Sequence, residues 1–148
     1  MRSFRLAALI VSAAALVVAA EAQSQEEKKP SILAKREKQF PVPSSWIIKS
    51  FNGKTYSGVD RPTFSLDQQY RARGFGGCNT FSTTAYPLRE QHFAVGPLAL
   101  TKKQCDKAVM EAEHAFLVAL RTSIQWDLNG LDLVIKSQQG ELRFERGI

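Results

Sequence analysis

The stretch GFGGCNTFSTTAY, residues 74–86, combines the residue types of a reactive loop, namely glycines, a cysteine and an asparagine. Cys78 could act as a nucleophile or a metal ligand if its thiolate were free. The chain has one other cysteine, Cys105, and an even number of cysteines in a small exported domain favours a disulfide. Two cysteines allow one pairing, so the sequence predicts a Cys78–Cys105 bridge that leaves no reactive thiolate.

The bridge would tie the glycine-rich strand to the start of a helix. It closes a loop of about 28 residues, for which chain entropy gives roughly 3.5 kcal/mol of stabilisation. Gly74, Gly76 and Gly77 lack side chains beside it, which indicates close approach of another backbone, a bulge or a sharp bend. Asn79 would either adopt a left-handed conformation or satisfy buried backbone groups. The stretch is therefore interpreted as a structural corner. Three of its aromatic residues are assigned to the core: Phe75, Phe81 and Tyr86.

Other candidates for catalysis are few. His92 lies near a predicted strand start and His114 on the polar side of a predicted helix, which indicates solvated or hydrogen-bonded side chains. Glu111 and Glu113 are two residues apart and face different ways on a helix, so they do not form an acid–base pair. No HExxH, CxxC, GxSxG or Walker sequence occurs. The sequence therefore predicts a protein that is not an enzyme and needs no metal or cofactor.

Three hairpin signals predict the strands that hold these residues. Asn52–Gly53 and Asn129–Gly130 each separate two β-prone runs and tolerate the positive φ of a two-residue turn. Gln139–Gly140 marks a third turn. Alternation along the last strands predicts one buried face, made of Leu131, Leu133, Ile135, Leu142 and Phe144.

The segment 106–123 breaks this period of two and predicts an amphipathic helix. Asp106 is a candidate N-cap, and Thr101 with Gln104 would form a capping box if the helix started earlier. One helix among hairpin-linked strands predicts a mainly β, α+β fold, either an antiparallel meander sheet or a partly closed barrel with the helix packed on it. The predicted apolar stripe of the helix is Val109, Ala112, Phe116, Leu117, Ala119 and Leu120.

Residues 1–22 have the pattern of a secretory signal peptide. Two arginines precede the uncharged run 6–20, and Ala20-Glu21-Ala22 has small residues at the two positions that a signal peptidase reads. The run is too short for a stable membrane anchor, and no cysteine stands at the cleavage site to carry a lipid. We therefore expect a periplasmic or secreted protein without a lipid anchor.

A charged leader, residues 23–44, is predicted to precede the folded domain, residues 45–148. Its low hydrophobicity, high charge and three prolines predict a flexible segment, because such a composition cannot offset the entropy of ordering. Loss of the signal peptide removes two arginines and one glutamate and lowers the formal charge from +6 to +5. This scattered charge is typical of a solvated surface, and attraction to an anionic envelope surface is the functional alternative. Nucleic acid is not expected as a partner.

Five segments between Trp46 and Phe144 resemble the META domain family of HslJ-like heat-inducible envelope proteins. In order, they are GFGGCNTF, VGPLALTKKQC, MEAEHAFLVAL, WDLNGLDLVI and GELRF. The most specific matches are Gly77-Cys78-Asn79, Thr101 four residues before Cys105, and the helix positions Met110, Glu113, Phe116 and Leu120.

The resemblance implies a compact antiparallel β-fold with one helix, and an envelope role linked to heat stress and novobiocin tolerance, without an established enzymatic mechanism. The chain departs from the family pattern in two places. Ser82-Thr83-Thr84 stands where the family commonly has a glycine after the GCN segment, so the conformation there does not carry over. The lipoprotein cysteine of several bacterial relatives is missing, so an outer-membrane location does not carry over either.

Two functions remain open. The first is a monomeric, stress-related envelope protein that binds partner proteins or an anionic surface through a sheet face, a groove near Asn79 or the leader. The second is a barrel-like binder of an apolar small molecule. Filling of the interior by aromatic side chains would leave no cavity for a ligand and favours the first. The side chains predicted to fill it are Trp46, Phe64, Phe75, Phe81, Phe93, Phe116 and Trp126.

We predict cleavage between Ala22 and Gln23, because the small residues before this bond fit the signal peptidase. N-terminal sequencing and intact mass of the exported protein should show a chain that starts at Gln23. A product that retains the apolar run would contradict cleavage.

Overall fold

Short β-prone runs separated by turn residues form most of the chain described by the computed structural model, which covers residues 37–58 and 60–147. The predicted signal peptide and leader residues 23–36 lie outside the described residues. The helix α1 spans Lys107–Arg121, and a 3₁₀ turn spans Arg89–Gln91. The strands are β1 (Ser44–Phe51), β2 (Lys54–Thr55), β3 (Thr63–Leu66), β4 (Arg71–Phe75), β5 (Thr80–Pro87), β6 (Phe93–Val95), β7 (Ala99–Leu100), β8 (Ser123–Asn129), β9 (Asp132–Ser137) and β10 (Gly140–Arg146).

The strands form two antiparallel meanders joined by the pairing of the first strand with the last. The order across the sheet is β6-β5-β4-β3-β1-β10-β9-β8, with β2 added to β1 and β7 to β5. The two ends of this order meet, because His92 and Gln125 form an antiparallel bridge. The sheet is therefore a nearly closed barrel, and α1 connects its two meanders. The predicted mainly β fold with one packed helix is confirmed.

The first predicted turn is confirmed, and the other two are displaced by one residue. Phe51 pairs with Lys54 around Asn52–Gly53, which has positive φ angles of 50° and 76°. In the second hairpin Asn129 pairs with Asp132, so the loop is Gly130–Leu131. In the third Ser137 pairs with Gly140, so the loop is Gln138–Gln139. Leu131 was predicted to be buried, and this is wrong: it lies in the loop and is 87% exposed.

A continuous series of aromatic rings fills the barrel. Eight strands enclose an interior just wide enough for side chains to occupy. Neighbouring ring centroids along the series are 4.9 to 6.4 Å apart, within the range of aromatic pairs. The series runs Trp126–Phe40–Phe93–Phe64–Phe144–Phe116–Phe81.

Two of the predicted core aromatics do not belong to this interior. Phe75 is half-buried, because on β4 the inward positions are Ala72 and Gly74. Tyr86 follows the buried Ala85 on β5 and therefore points outward, where it is 43% exposed.

The buried face of α1 is close to the predicted stripe but not identical to it. Phe116, Leu117, Ala119 and Leu120 are buried as predicted, whereas Ala112 is exposed, which corrects its assignment to the stripe. Glu113 is buried in its place, and Val109 is half-buried. Asp106 occupies the N-cap position, but its side chain makes no capping hydrogen bond. The capping box of Thr101 and Gln104 is absent because α1 starts only at Lys107.

Residues 37–43 cross one end of the barrel and are called the strap below. Phe40 is only 8% exposed, and its ring lies 5.6 Å from Phe93 and 4.9 Å from Trp126. The Lys38 Nζ donates to Asp127 Oδ1 at 2.5 Å and to the Leu128 carbonyl at 2.6 Å. The expected flexible leader therefore does not extend through residues 37–44. The segment has a polar average composition, but a single aromatic residue supplies the burial that orders it.

We predict that Phe116→Ala lowers the free energy of unfolding by about 3–5 kcal/mol, because it removes a ring that contacts Phe81 and Phe144 in the filled interior. Leu131→Ala is the control for loss of apolar surface at an exposed position, and should change stability by less than about 0.5 kcal/mol. Urea denaturation measures both variants. Equal midpoints would show that Phe116 is not part of the core.

Candidate functional site

The glycine-rich stretch forms the loop between β4 and β5, and the residues of the sequence motif collect around it. Phe75 pairs with Thr80, which leaves a loop of residues 76–79 whose ends are joined by the Gly76 N–H donating to the Asn79 carbonyl at 2.7 Å. This loop, together with Thr101, Cys105 and Glu113, is called the GCN cluster. It lies where β7 and the start of α1 meet the hairpin.

A buried carboxylate holds the loop. Glu113 is 4% exposed, and its Oε2 accepts the backbone N–H groups of Cys78 and Asn79 at 2.8 and 2.5 Å. Its Oε1 accepts the Asn79 side-chain amide at 2.8 Å. Two consecutive N–H groups form a concavity that suits an anion, and hydrogen bonds from several donors offset the cost of burying a charge. Glu113 thus joins the second turn of α1 to the hairpin.

The glycines are required by this close approach. A Cβ at Gly76 would lie 2.8 Å from Glu113 Oε2, and one at Gly74 would lie 2.0 Å from the Thr63 carbonyl oxygen. Gly77 has a φ of 122°, which disfavours any residue with a side chain. Close approach of another backbone is thus found at Gly74, whereas the group close to Gly76 is the Glu113 side chain.

Asn79 is the centre of a second set of hydrogen bonds. Its Oδ1 accepts the Thr101 hydroxyl at 2.8 Å and the Lys103 backbone N–H at 2.7 Å. The Thr101 Oγ1 in turn accepts the Thr80 N–H at 3.1 Å. Asn79 does not have the left-handed conformation that was one of its two predicted roles, and its side chain instead bonds the backbone of Lys103. These bonds align the segment that follows β7 with the loop.

The predicted disulfide is confirmed. The Cys78 and Cys105 sulfurs are 2.02 Å apart, and the Cα atoms are 6.1 Å apart. Cys105 directly precedes the N-cap of α1, so the bridge fixes the start of the helix while Glu113 fixes its second turn. Neither cysteine is a free thiol.

A shallow cleft of about 450 Å³ borders the cluster on the side of the disulfide. Tyr56, Asp60, Cys105 and Val109 are among its lining residues. Burial raises the pKa of the Tyr56 hydroxyl, and the charges of Asp60 and Glu113 raise it further. Tyr56 therefore stays protonated at neutral pH and presents a neutral phenol beside the carboxylate.

The cluster brings together most of the motif residues and excludes the histidines. Met110 is half-buried on α1, and Phe116 is buried against the barrel interior. His114 is exposed, and the exposed His92 lies beside the Arg89 carbonyl with its Nδ1 at 3.1 Å. Every side-chain oxygen and nitrogen of Asn79, Thr101 and Glu113 has a hydrogen-bond partner within the domain. The arrangement therefore connects the loop, the segment at β7 and the helix.

A second site, at the strap, has no counterpart in the sequence motifs. A groove of about 320 Å³, called the strap groove, lies against the strap and is further lined by Tyr70, Pro87, Leu88, Arg89 and Trp126. Tyr70, Tyr86 and Leu88 are 41%, 43% and 51% exposed, and they form an apolar surface from the β3–β4 turn to the end of strand β5. The available sequence signal was Phe40, a single large apolar residue next to two prolines in a polar segment.

An ion pair fastens the strap. Hydrogen bonds from Lys38, the Gln91 side chain and the Leu128 N–H hold the pKa of Asp127 below its ordinary value of 3.8, although partial burial opposes them. The Glu37 carboxylate also accepts the Glu90 N–H at 2.7 Å.

These features define a small, nearly closed antiparallel barrel with one helix, closed by a disulfide and a buried carboxylate. The META domain family model matches residues 40–147 of the chain. The protein therefore belongs to the META domain family, and the resemblance inferred from the sequence is confirmed. No curated protein matches the chain.

Solved structures share the fold. One protein, determined by NMR, is 22% identical with a TM-score of 0.57, over 70% of this chain and 88% of that chain. A protein from Burkholderia xenovorans, also determined by NMR, is 21% identical with a TM-score of 0.56, over 72% of this chain and 83% of that chain. A DUF4847 family protein from Bacteroides vulgatus is 12% identical with a TM-score of 0.53, over 70% and 92%.

We predict that Glu113→Gln lowers stability by about 1–3 kcal/mol, although the side chain keeps its size. Oε1 and Oε2 both accept hydrogen bonds, and the amide nitrogen of glutamine would face a donor in either orientation. Glu111→Gln is the control on the same helix, because Glu111 is exposed and has only Lys107 nearby, at 3.7 Å. Urea denaturation of the oxidised proteins should separate the two variants, and similar midpoints would contradict the role of the carboxylate.

We predict that the strap ion pair makes stability sensitive to acid. The folded-state pKa of Asp127 is lowered, so its contribution is present above the unfolded value of 3.8 and is lost as the pH falls through the folded value. Between about pH 5 and pH 2.5 the urea midpoint of the wild type should fall more steeply than that of Lys38→Ala. Lys54→Ala, an exposed control, should keep the wild-type slope. The same slope in all three proteins would rule out the ion pair as the cause.

Proposed function

We propose that this protein is an exported, non-enzymatic META-domain protein of the cell envelope that acts by binding another protein. One observation carries this proposal: the apolar surface of Tyr70, Tyr86 and Leu88 is exposed beside a groove, while the interior of the barrel is occupied by aromatic rings. Apolar surface that is contiguous and exposed is typical of protein–protein contacts. Aromatic residues are also enriched at such interfaces.

Export is supported by the N-terminal pattern and by the disulfide. A bridge of this kind persists in oxidising compartments such as the periplasm or the extracellular space. Within residues 37–58 and 60–147, no helix has both the length and the apolar character to cross a bilayer.

A non-enzymatic role is supported by the use of the polar atoms in the GCN cluster. General acid–base or nucleophilic catalysis needs a group within hydrogen-bonding reach of a substrate. Here the Glu113 carboxylate and the Asn79 amide form hydrogen bonds with backbone groups and with each other. The sulfur atoms are joined in the disulfide.

Binding of an apolar small molecule inside the barrel is the alternative. The ring contacts of Phe64 with Phe93 and Phe144, and of Phe116 with Phe144, argue against it, because they occupy the volume that a ligand would need. A stress-related role, in heat or antibiotic tolerance, rests on the family resemblance alone.

We predict that a photo-crosslinking amino acid at Leu88 captures a defined protein in intact cells, because Leu88 belongs to the exposed apolar surface. The same amino acid at Leu131 is the control, since Leu131 is more exposed but lies in the β8–β9 loop. Mass spectrometry identifies the adducts before and after heat stress. Identical adducts at both positions, or none at Leu88, would contradict a specific interface.

A further inference from the structure

We propose that the surface beneath the strap, together with the adjoining strap groove, is a binding site for an extended peptide segment of a partner protein, in which a basic residue is followed by a large apolar anchor. The strap covers this surface and lines the groove until a partner displaces it. The inference rests on the proposed interaction role and names the chemistry of the partner. Three features of the described residues support it.

First, the strap is held as a bound peptide would be held. Its contacts are the buried Phe40 ring, the Lys38 ammonium on Asp127 and the Leu128 carbonyl, and the Glu37 carboxylate on the Glu90 N–H. No backbone–backbone hydrogen bond joins residues 37–43 to the rest of the described chain. The strap can therefore leave without breaking a β-ladder.

Second, the indole that contacts the strap has a buried, unsatisfied donor. Trp126 lines the strap groove, and its Nε1 is buried without a hydrogen-bond acceptor among the described residues. A buried polar group without a partner is uncommon and costs stability. A partner segment that places a carbonyl oxygen at this nitrogen gains a hydrogen bond that the strap does not make, which would let it compete with an intramolecular occupant.

Third, the apolar surface extends beyond the area that the strap covers. Tyr70 and Tyr86 have ring centroids 5.7 Å apart, and both rings remain substantially exposed, as does Leu88. A segment longer than the strap would cover these side chains. Recognition of extended, proline-containing peptides by aromatic-lined grooves is a general mode of binding, and the strap itself contains Phe40-Pro41-Val42-Pro43.

The probe is a fluorescent synthetic peptide with the sequence of residues 35–43, KREKQFPVP. It is titrated into the full mature chain, either wild type or Phe40→Ala, which removes the ring that anchors the strap on Phe93 and Trp126. Fluorescence anisotropy should show saturable binding that is at least tenfold tighter for Phe40→Ala, because the wild-type strap competes. The peptide carrying the same Phe40→Ala change should lose binding at least tenfold.

A second variant tests the inference should Phe40→Ala unfold. Lys38→Ala keeps the buried ring and removes the ammonium contacts with Asp127 and the Leu128 carbonyl, so it should bind the peptide more tightly than the wild type does. Near-UV circular dichroism establishes that each variant is folded. Folded variants that do not bind, or that bind no better than the wild type, overturn the inference. A wild-type dimer that dissociates on addition of the peptide also overturns it, since the occupant would then be a second copy of the chain.

The peptide-binding test of this inference can succeed or fail independently of the crosslinking test of the proposed function. If Leu88 crosslinks to a protein in cells but the peptide does not bind, the inference fails and the interaction role stands. If the peptide binds but Leu88 captures nothing, the groove exists and the proposed envelope interaction fails.

Discussion

The hydrogen bonds of the buried Glu113 carboxylate are the interaction on which this domain depends. They fix the loop between β4 and β5 to α1, and the disulfide from Cys78 to Cys105 fixes the same loop to the residue just before the helix. An anion on consecutive backbone N–H groups needs no cationic side chain. The two connections place α1 over the barrel, where Phe116 completes the aromatic series of the interior.

This arrangement explains why the most recognisable part of the sequence is not a reactive site. Gly76 is required because Glu113 occupies the space of its side chain, and Asn79 is required because its amide satisfies both the carboxylate and the chain after β7. Residues that resemble catalytic machinery are thus engaged in holding the helix. The function we propose is accordingly placed on the surface, at the far end of the series of rings.

The two ends of that series differ in how they are closed. At Phe81 and Phe116, closure uses a covalent bond and a satisfied hydrogen-bond network, and neither can open without large cost. At Phe40 and Trp126, closure uses one ring, one ion pair and a segment without backbone pairing, and it leaves the indole N–H unsatisfied. Differences of this kind between regions determine where a protein opens locally. The strap end is therefore where we place the binding event.

The sequence by itself determined the features that depend on local chemistry or that have few possible arrangements. Two cysteines allowed one bridge, and the hairpin signals with a single helical period predicted the fold class. Two of the three turns are displaced by one residue from their predicted positions, because pairing is decided across strands, and one of these shifts exposes Leu131.

Only the tertiary structure decided the role of Glu113 and the order of the strap. The sequence identified Glu113 only as a position that matches the family motif, because its partners are 34 and 35 residues away in the chain. Phe40 was assigned to a flexible leader because a polar average composition predicts disorder. The rings that it contacts, those of Phe93 and Trp126, lie far along the chain. Both residues depend on long-range contacts, which the closed barrel creates and a local sequence pattern does not contain.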